Sequence, residues 1–187
     1  AVTLGTGVGG GVIIQDKIIT GSYHGGAELG HMVIDLNGTL CTCGRRGCWE
    51  EFSSATALIR EAKKMADANP DSKLYALVDG DVEAMNAKIP FDAAQAGDAI
   101  AQSVIDWYID HLAIGLVNVI NIFQPQAIAL GGGVSAQKEN LIKPLKEKMI
   151  TEIYGGADAL KTDLLICELG NDAGIIGAAM LYKLYDK

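Results

Sequence analysis

Four residues in one short stretch constrain this chain more than any other feature. The segment from Glu28 to Glu50, ELGHMVIDLNGTLCTCGRRGCWE, carries His31, Cys41, Cys43 and Cys48, with Gly44 and Gly47 between the last two cysteines. One imidazole and three thiols are the donor set of a closed structural zinc site, because Zn2+ takes soft thiolates and neutral imidazole in a tetrahedron. Cys41-x-Cys43 can clamp one edge, and the glycine turn can bring Cys48 back to another. A Cys41–Cys48 disulfide and a cluster of buried thiols are the alternatives. The disulfide leaves His31 and Cys43 without a role and needs an oxidising compartment, of which the sequence shows no sign. The spacing is not that of a common finger, so it is the donor chemistry that favours zinc.

A core large enough to carry such a loop is available. The chain has 187 residues, 49% of them apolar, which suffices for one domain. Its 23 glycines gather at a few places, as in turns that approach a ligand. The net charge of −8 argues against a nucleic-acid surface in this chain. It leaves ATP open, since backbone N–H groups and Mg2+ commonly hold phosphates. No apolar run reaches the roughly 20 residues that span a bilayer, and no signal peptide is visible, so no membrane partner is expected. Four cysteines, three of them in the zinc stretch, fit a reducing cytoplasm.

From the N-terminus, Ala1–Leu4 reads as the end of a strand, followed by Gly5-Thr6-Gly7-Val8-Gly9-Gly10-Gly11. The dinucleotide fingerprint requires a helix to begin inside such glycines. Here β-branched residues 12–14 follow instead, a turn is expected at Asp16-Lys17, and Ile18-Ile19 resumes. A hairpin results, and its turn is either plain or a nest for phosphate. Met32–Asp35 reads as a short strand before the turn signal Asn37-Gly38. Trp49–Phe52 begins a helical stretch, and Ser53-Ser54 can cap the next helix, 56–67. Glu50 and Glu51 compete as pocket residues, because a helix turns them about 100° apart. Residues 68–80 carry turn signals, and Asp79, Asp81 and Glu83 read as solvated charge. A helix is expected from Ala93, or from Gly97-Asp98 after a break, with Ile100, Val104, Tyr108, Leu112, Leu116 and Ile120 along one face. Its second half is apolar nearly all round, with His111 packed beside the stripe and Asn118 and Asn121 as buried-polar candidates. Pro125 ends it, and residues 126–130 form a buried strand. Gly131-Gly132-Gly133 follows, with a helix from about Ala136 capped by Ser135. Strand, triple glycine and helix start suit either a nucleotide or tight α/β packing. Residues 164–167 read as a last buried strand, and Asn171–Gly174 opens the final helix, where Gly174 and Gly177 permit close packing.

Glu28-Leu29-Gly30-His31 and Cys41-Thr-Cys43-Gly44-Arg-Arg-Gly47-Cys48-Trp-Glu50 resemble the ExGH and CxCGxxGCxE signatures of ROK proteins. That family holds bacterial sugar kinases, glucokinase foremost, and sugar-responsive repressors. The resemblance runs from Thr3 to about Leu181, where the ending is similar to the family's DAGxxGAA motif. It implies an α/β fold of the actin-like ATPase (ribonuclease H-like) kind with an inserted zinc-binding loop. It further implies a sugar pocket using Glu28, His31 and Glu50, with the zinc holding the pocket wall. Gly5, Thr6 and Gly7 would meet phosphates, and Gly131, Gly132 and Gly133 the adenosine of ATP with Mg2+. The implied reaction is ATP-dependent phosphorylation of a hexose, most readily glucose to glucose 6-phosphate, by a homo-oligomer, a dimer.

Two parts of the kinase pattern do not occur in these residues. There is no DxGGT phosphate loop and no DNDA segment, whose aspartate serves as general base; Asp35, Asp92 and Asp110 stand in the wrong context. Phosphoryl transfer needs a carboxylate within reach of the sugar hydroxyl. The expectation is therefore a C-terminal domain of a two-domain kinase, without a catalytic residue of its own and inactive alone. The competing reading is the effector domain of a sugar-responsive repressor, and the intact glycine turns favour the kinase. A free-standing sugar-binding or oligomerising module comes third.

Overall fold

In a computed structural model of the chain, residues 1–157, 161–170 and 172–181 are described. Asn171, expected to open the last helix, lies outside them. Strands β1 (Val2–Leu4) and β2 (Val8–Gly10) form an antiparallel hairpin around the turn at residues 5–7. Val2 and Leu4 point into the core and Thr3 outward, the period of two that a strand imposes. A second hairpin, β3 (Ile13–Ile14) and β4 (Lys17–Ile18), turns at Gln15-Asp16, both with positive φ, one residue earlier than the sequence suggests. Strand β1 also pairs in parallel with β5 (Ala127–Gly131), and β5 in parallel with β6 (Asp163–Ile166). The four-stranded order is β2-β1-β5-β6, a mixed α/β sheet.

The described α-helices are α1 (Glu50–Ser53), α2 (Ala55–Ala68), α3 (Lys73–Ala76), α4 (Ile89–Gln95), α5 (Ala99–Phe123), α6 (Glu139–Glu152) and α7 (Asp172–Met180). The spine is α5, packed against α2, α4 and α6. Val104, Tyr108, Leu112, Leu116 and Ile120 are all buried, as their spacing predicts. By length and composition α5 could cross a membrane, yet most of it is buried among the other helices. Of its polar residues, His111 and Asn118 are half-buried. Asn121 is exposed and accepts the Tyr154 N–H at 3.2 Å.

Several local expectations need correction. Met32–Asp35 is not a strand: Val33 makes one isolated bridge to Cys48, because the chain there wraps a turn-rich loop and has no partner ladder. Residues 133–137 form a 3-10 turn and α6 starts only at Glu139. Ser135 does not cap a helix N–H; its hydroxyl donates to the Gly132 carbonyl at 2.7 Å. Gly174 and Gly177 have open space around them and α7 buries no residue, so close packing is not their role among the described residues.

Two helices meet at Asp98. Its carboxylate caps α5 by accepting the Ala101 N–H at 2.8 Å and also accepts the Lys73 N–H at the start of α3. Burial alone would raise this carboxyl's pKa, but the N–H groups of Ala101, Lys73, Ile100 and Leu74 outweigh it and hold it below the ordinary value. A depressed folded pKa adds stability above the unfolded carboxyl pKa of about 4, and that stability is lost as pH falls through the folded value. Asp98→Ala is expected to cost about 2–3 kcal/mol at pH 7, as for hydrogen bonds to a buried charge. Urea denaturation at pH 7 and pH 3 checks this: the gap between parent and variant should narrow at the lower pH.

Candidate functional site

The sequence folds His31, Cys41, Cys43 and Cys48 into one cluster. Their donor atoms all lie within 4.8 Å of one another. Cys41 Sγ is 3.6 Å from His31 Nδ1, and Cys43 Sγ is 3.6 Å from Cys48 Sγ. A tetrahedral zinc with the usual Zn–S and Zn–N bonds has edges of about 3.5–3.8 Å, so the donors fit such an ion. Local backbone geometry gathers these side chains. Gly44 and Gly47 adopt positive φ, and a Cβ on Gly47 would overlap the Asp35 carbonyl. Cys41 N donates to Arg45 O at 2.7 Å, and Trp49 N to Met32 O at 2.8 Å. In this loop burial pushes the Cys48 thiol up to about 12, with its neighbouring thiols adding to the effect. The exposed Cys43 thiol is lowered, first by its hydrogen bond from the Arg45 backbone.

Trp49 locks the loop onto the core. Fully buried, it lies against Gly115 of α5, where even a Cβ would overlap the indole. Its Nε1–H donates to His111 O at 3.0 Å. The His111 ring stacks on Phe52 at 4.7 Å between centroids and meets Trp107 at the same distance. It is thus a packed histidine, as the sequence suggests.

The next residue, Glu50, turns toward the first glycine segment. Its Oε2 accepts the Val8 N–H at 2.9 Å, and a Cβ on Gly7 would overlap that oxygen. Glu51 goes to Arg60 instead, at 3.3 Å. The 100° separation does not hold the two carboxylates apart: an oxygen of each lies within 4.8 Å of the other and of Cys41 Sγ. Their different partners, not helical geometry alone, distinguish them. Glu28 is exposed just before the 3-10 turn Leu29–His31, and no described hydrogen bond joins its carboxylate to the His31 ring.

The two glycine segments lie side by side. They end β1 and β5, which are adjacent and parallel, with Thr3 opposite Gly131. The carboxyl ends of neighbouring parallel strands are where open α/β sheets take ligands. Gly5 and Gly133 face open space, so a Cβ at either would meet nothing within 4 Å. Gly132 has another duty: with φ of 82° it presses on the Leu4 backbone. Gly131 packs near Cys167, whose sulfur would be 3.3 Å from a Cβ there. No described hydrogen bond uses the N–H of Thr6 or Gly7. Two open concavities, of about 500 Å³ around Asp98 and Lys73 and about 270 Å³ between α4, α5 and α6, lie away from this site.

Comparison with known proteins gives the family. The model of the ROK family matches residues 1–184. The chain belongs to the ROK family. A glucokinase of Thermotoga maritima is 41% identical over 183 residues, which cover 98% of this ROK chain and 57% of the relative. A crystal structure of a ROK family glucokinase from Streptomyces griseus, in complex with glucose and AMPPNP, matches with a TM-score of 0.88 and 37% identity. That match covers 96% of this chain and 58% of the other. A putative xylose repressor of Caldicellulosiruptor is 30% identical, covering 98% of this chain and 47% of the repressor. The chain thus spans somewhat over half the length of the kinase relatives it matches. The mixed sheet and this membership are consistent with an actin-like ATPase fold. Sequence reasoning about this ROK chain missed Thr56, whose hydroxyl donates to the Thr6 carbonyl at 2.8 Å. Its place just after the Ser54 cap was the only signal, and that signal says helix start rather than ligand site.

Proposed function

We propose that the protein carrying this chain is an ATP-dependent hexose kinase converting glucose to glucose 6-phosphate. This chain is its C-terminal domain, and the catalytic base comes from the part of the relatives' length that it does not span. The carrying observation is the pair of glycine turns ending adjacent parallel strands, with open space over Gly5 and Gly133. Gly5–Gly7 meet phosphates, and Gly131–Gly133 meet adenosine, with Mg2+ accompanying the ATP. Glu28, His31 and Glu50 bind the sugar. His31, Cys41, Cys43 and Cys48 hold one structural zinc, which would fix the loop as a pocket wall. His31 turns Nδ1 to Cys41 Sγ, which leaves its Nε2–H to donate to a hexose hydroxyl. Similarity to a named xylose repressor supports a second reading, an effector-binding domain that takes sugar without transferring phosphate.

Steady-state kinetics of the full-length protein separates these. The parent should phosphorylate glucose with ATP. Gly133→Leu should raise the KM for ATP at least about ten-fold, as expected when a bulky group fills a ligand's place. The KM for glucose should hold. Gly132 is the wrong position for this test, since a side chain there strikes Leu4 before any ligand. A full-length protein that binds hexose but transfers no phosphate would favour the repressor reading. Parallel loss of hexose and ATP affinity in Gly133→Leu would assign the glycines to packing.

A further inference from the structure

The corner between α1 and α2 grips the first glycine turn at three points. Gly5 O accepts the Ala55 N–H at 2.8 Å, which satisfies a donor that the start of α2 would otherwise leave free. Thr6 O accepts the Thr56 hydroxyl at 2.8 Å. Val8 N–H donates to Glu50 Oε2 at 2.9 Å. Between these anchors the Gly5 N–H is used internally, on Gly7 O at 3.0 Å, while no described bond engages the N–H of Thr6 or Gly7. The turn is therefore held by its carbonyls from below, with two N–H groups left over. Of the three grips, only that of Thr56 acts on the central residue of the turn through a side chain. Rotation of the Thr6–Gly7 peptide plane would move that carbonyl and the Gly7 N–H together, because they belong to one rigid unit. Fixing the oxygen fixes where the N–H points.

We propose that Thr56 is a positioning residue for phosphate binding: its hydroxyl, bonded to the Thr6 carbonyl, sets the direction of the Gly7 N–H. The proposal rests on the reading of Gly5–Gly7 as the phosphate turn. It also joins the cysteine loop to the nucleotide, since Cys48, Trp49, Glu50 and the α1–α2 corner are consecutive along the chain. A ligand loop set next to the sugar thus also supports the turn that meets the phosphates.

Thr56→Val in the full-length protein tests this, because it keeps the shape and removes the donor. The KM for ATP should rise about three- to ten-fold, the worth of one neutral hydrogen bond. The KM for hexose and the zinc content should be unchanged, the melting temperature should fall by no more than the few degrees that one exposed hydrogen bond is worth, and Thr56→Ser should restore the parent's ATP affinity. Direct titration with MgATP, which needs no turnover, provides a second readout. Unchanged ATP affinity in Thr56→Val, with a parent that binds MgATP normally, overturns the role of Thr56 and leaves the phosphate reading standing. A parent that binds no MgATP removes both. A merely structural threonine would show itself as a lower melting temperature with both KM values shifted, and that outcome also rejects the proposal.

Discussion

Gly115→Ala should destabilise the protein by about 2 kcal/mol, although alanine is the better helix former. The exchange gains about 1 kcal/mol of helix propensity in the middle of α5. Against this stands overpacking, which costs about 1–3 kcal/mol and more where neighbours cannot yield. The neighbour is Trp49, fully buried, with its indole where the new methyl must go and its Nε1–H committed to His111 O. Neither an exposed face nor a flexible end is available to relieve the clash, so the overpacking dominates. Chemical denaturation measures the loss directly. Trp49→Leu combined with Gly115→Ala should be less damaging than the sum of the two, since the smaller residue removes the clash. Full stability in Gly115→Ala, or strict additivity in the pair, would show that the indole does not rest on Gly115.

Losing the proposed zinc should have a larger effect still. A structural zinc contributes about 10–16 kcal/mol of apparent binding free energy in small metal-folded domains. Loss of a supporting partner alone lowers metal affinity about 10–100-fold, so loss of a ligand should cost at least the upper figure. Cys48→Ser, in the full-length protein, is therefore expected to lower zinc affinity at least about a hundred-fold. Elemental analysis of the parent should give about one zinc per chain. Binding should also tighten as pH rises, because burial pushes the Cys48 thiol up to about 12 and the metal must displace that proton. Parent protein purified reduced and without chelators that contains no zinc would defeat the assignment. On the proposed role of Glu50 in the sugar pocket, removal of the metal should weaken hexose binding as well, because Glu50 follows Cys48 by two residues.

The sequence foretold most where the chemistry is local. Ligand type and glycine spacing located the cysteine loop. The four-residue stripe located α5, with Gly97 and Asp98 marking its start and Pro125 its end. The misplacements arose where tertiary partners override local signals. Met32–Asp35 has strand composition but no neighbouring ladder. Ser135 looks like a cap, yet its hydroxyl finds the Gly132 carbonyl first. The start of α4 at Ile89-Pro90 was missed, a helix being expected only from Ala93 or Gly97-Asp98, although proline suits a first helical turn. At the candidate site, the glycine segments could be found but their division of labour could not. Which of them face open space and which press on Leu4 or Glu50 depends on contacts distant in sequence, and one sequence does not display these.

The strand order has a consequence for how the molecule is made. Strand β1 is synthesised well before its parallel partner β5, which does not exist until residues 127–131 have been translated. At about 5–20 residues per second, that wait is on the order of ten seconds. During it the hairpin β1–β2 has the α1–α2 corner that holds its turn but no parallel neighbour from β5, while α2, α4 and α5 can already consolidate through nearby contacts. The closing of β5 onto β1 is a late, long-range event, and it is also the step that brings the Gly131–Gly133 segment beside the Gly5–Gly7 turn. The ribosome thus delivers the two glycine segments well apart in time, and they lie side by side only once β1 and β5 have paired.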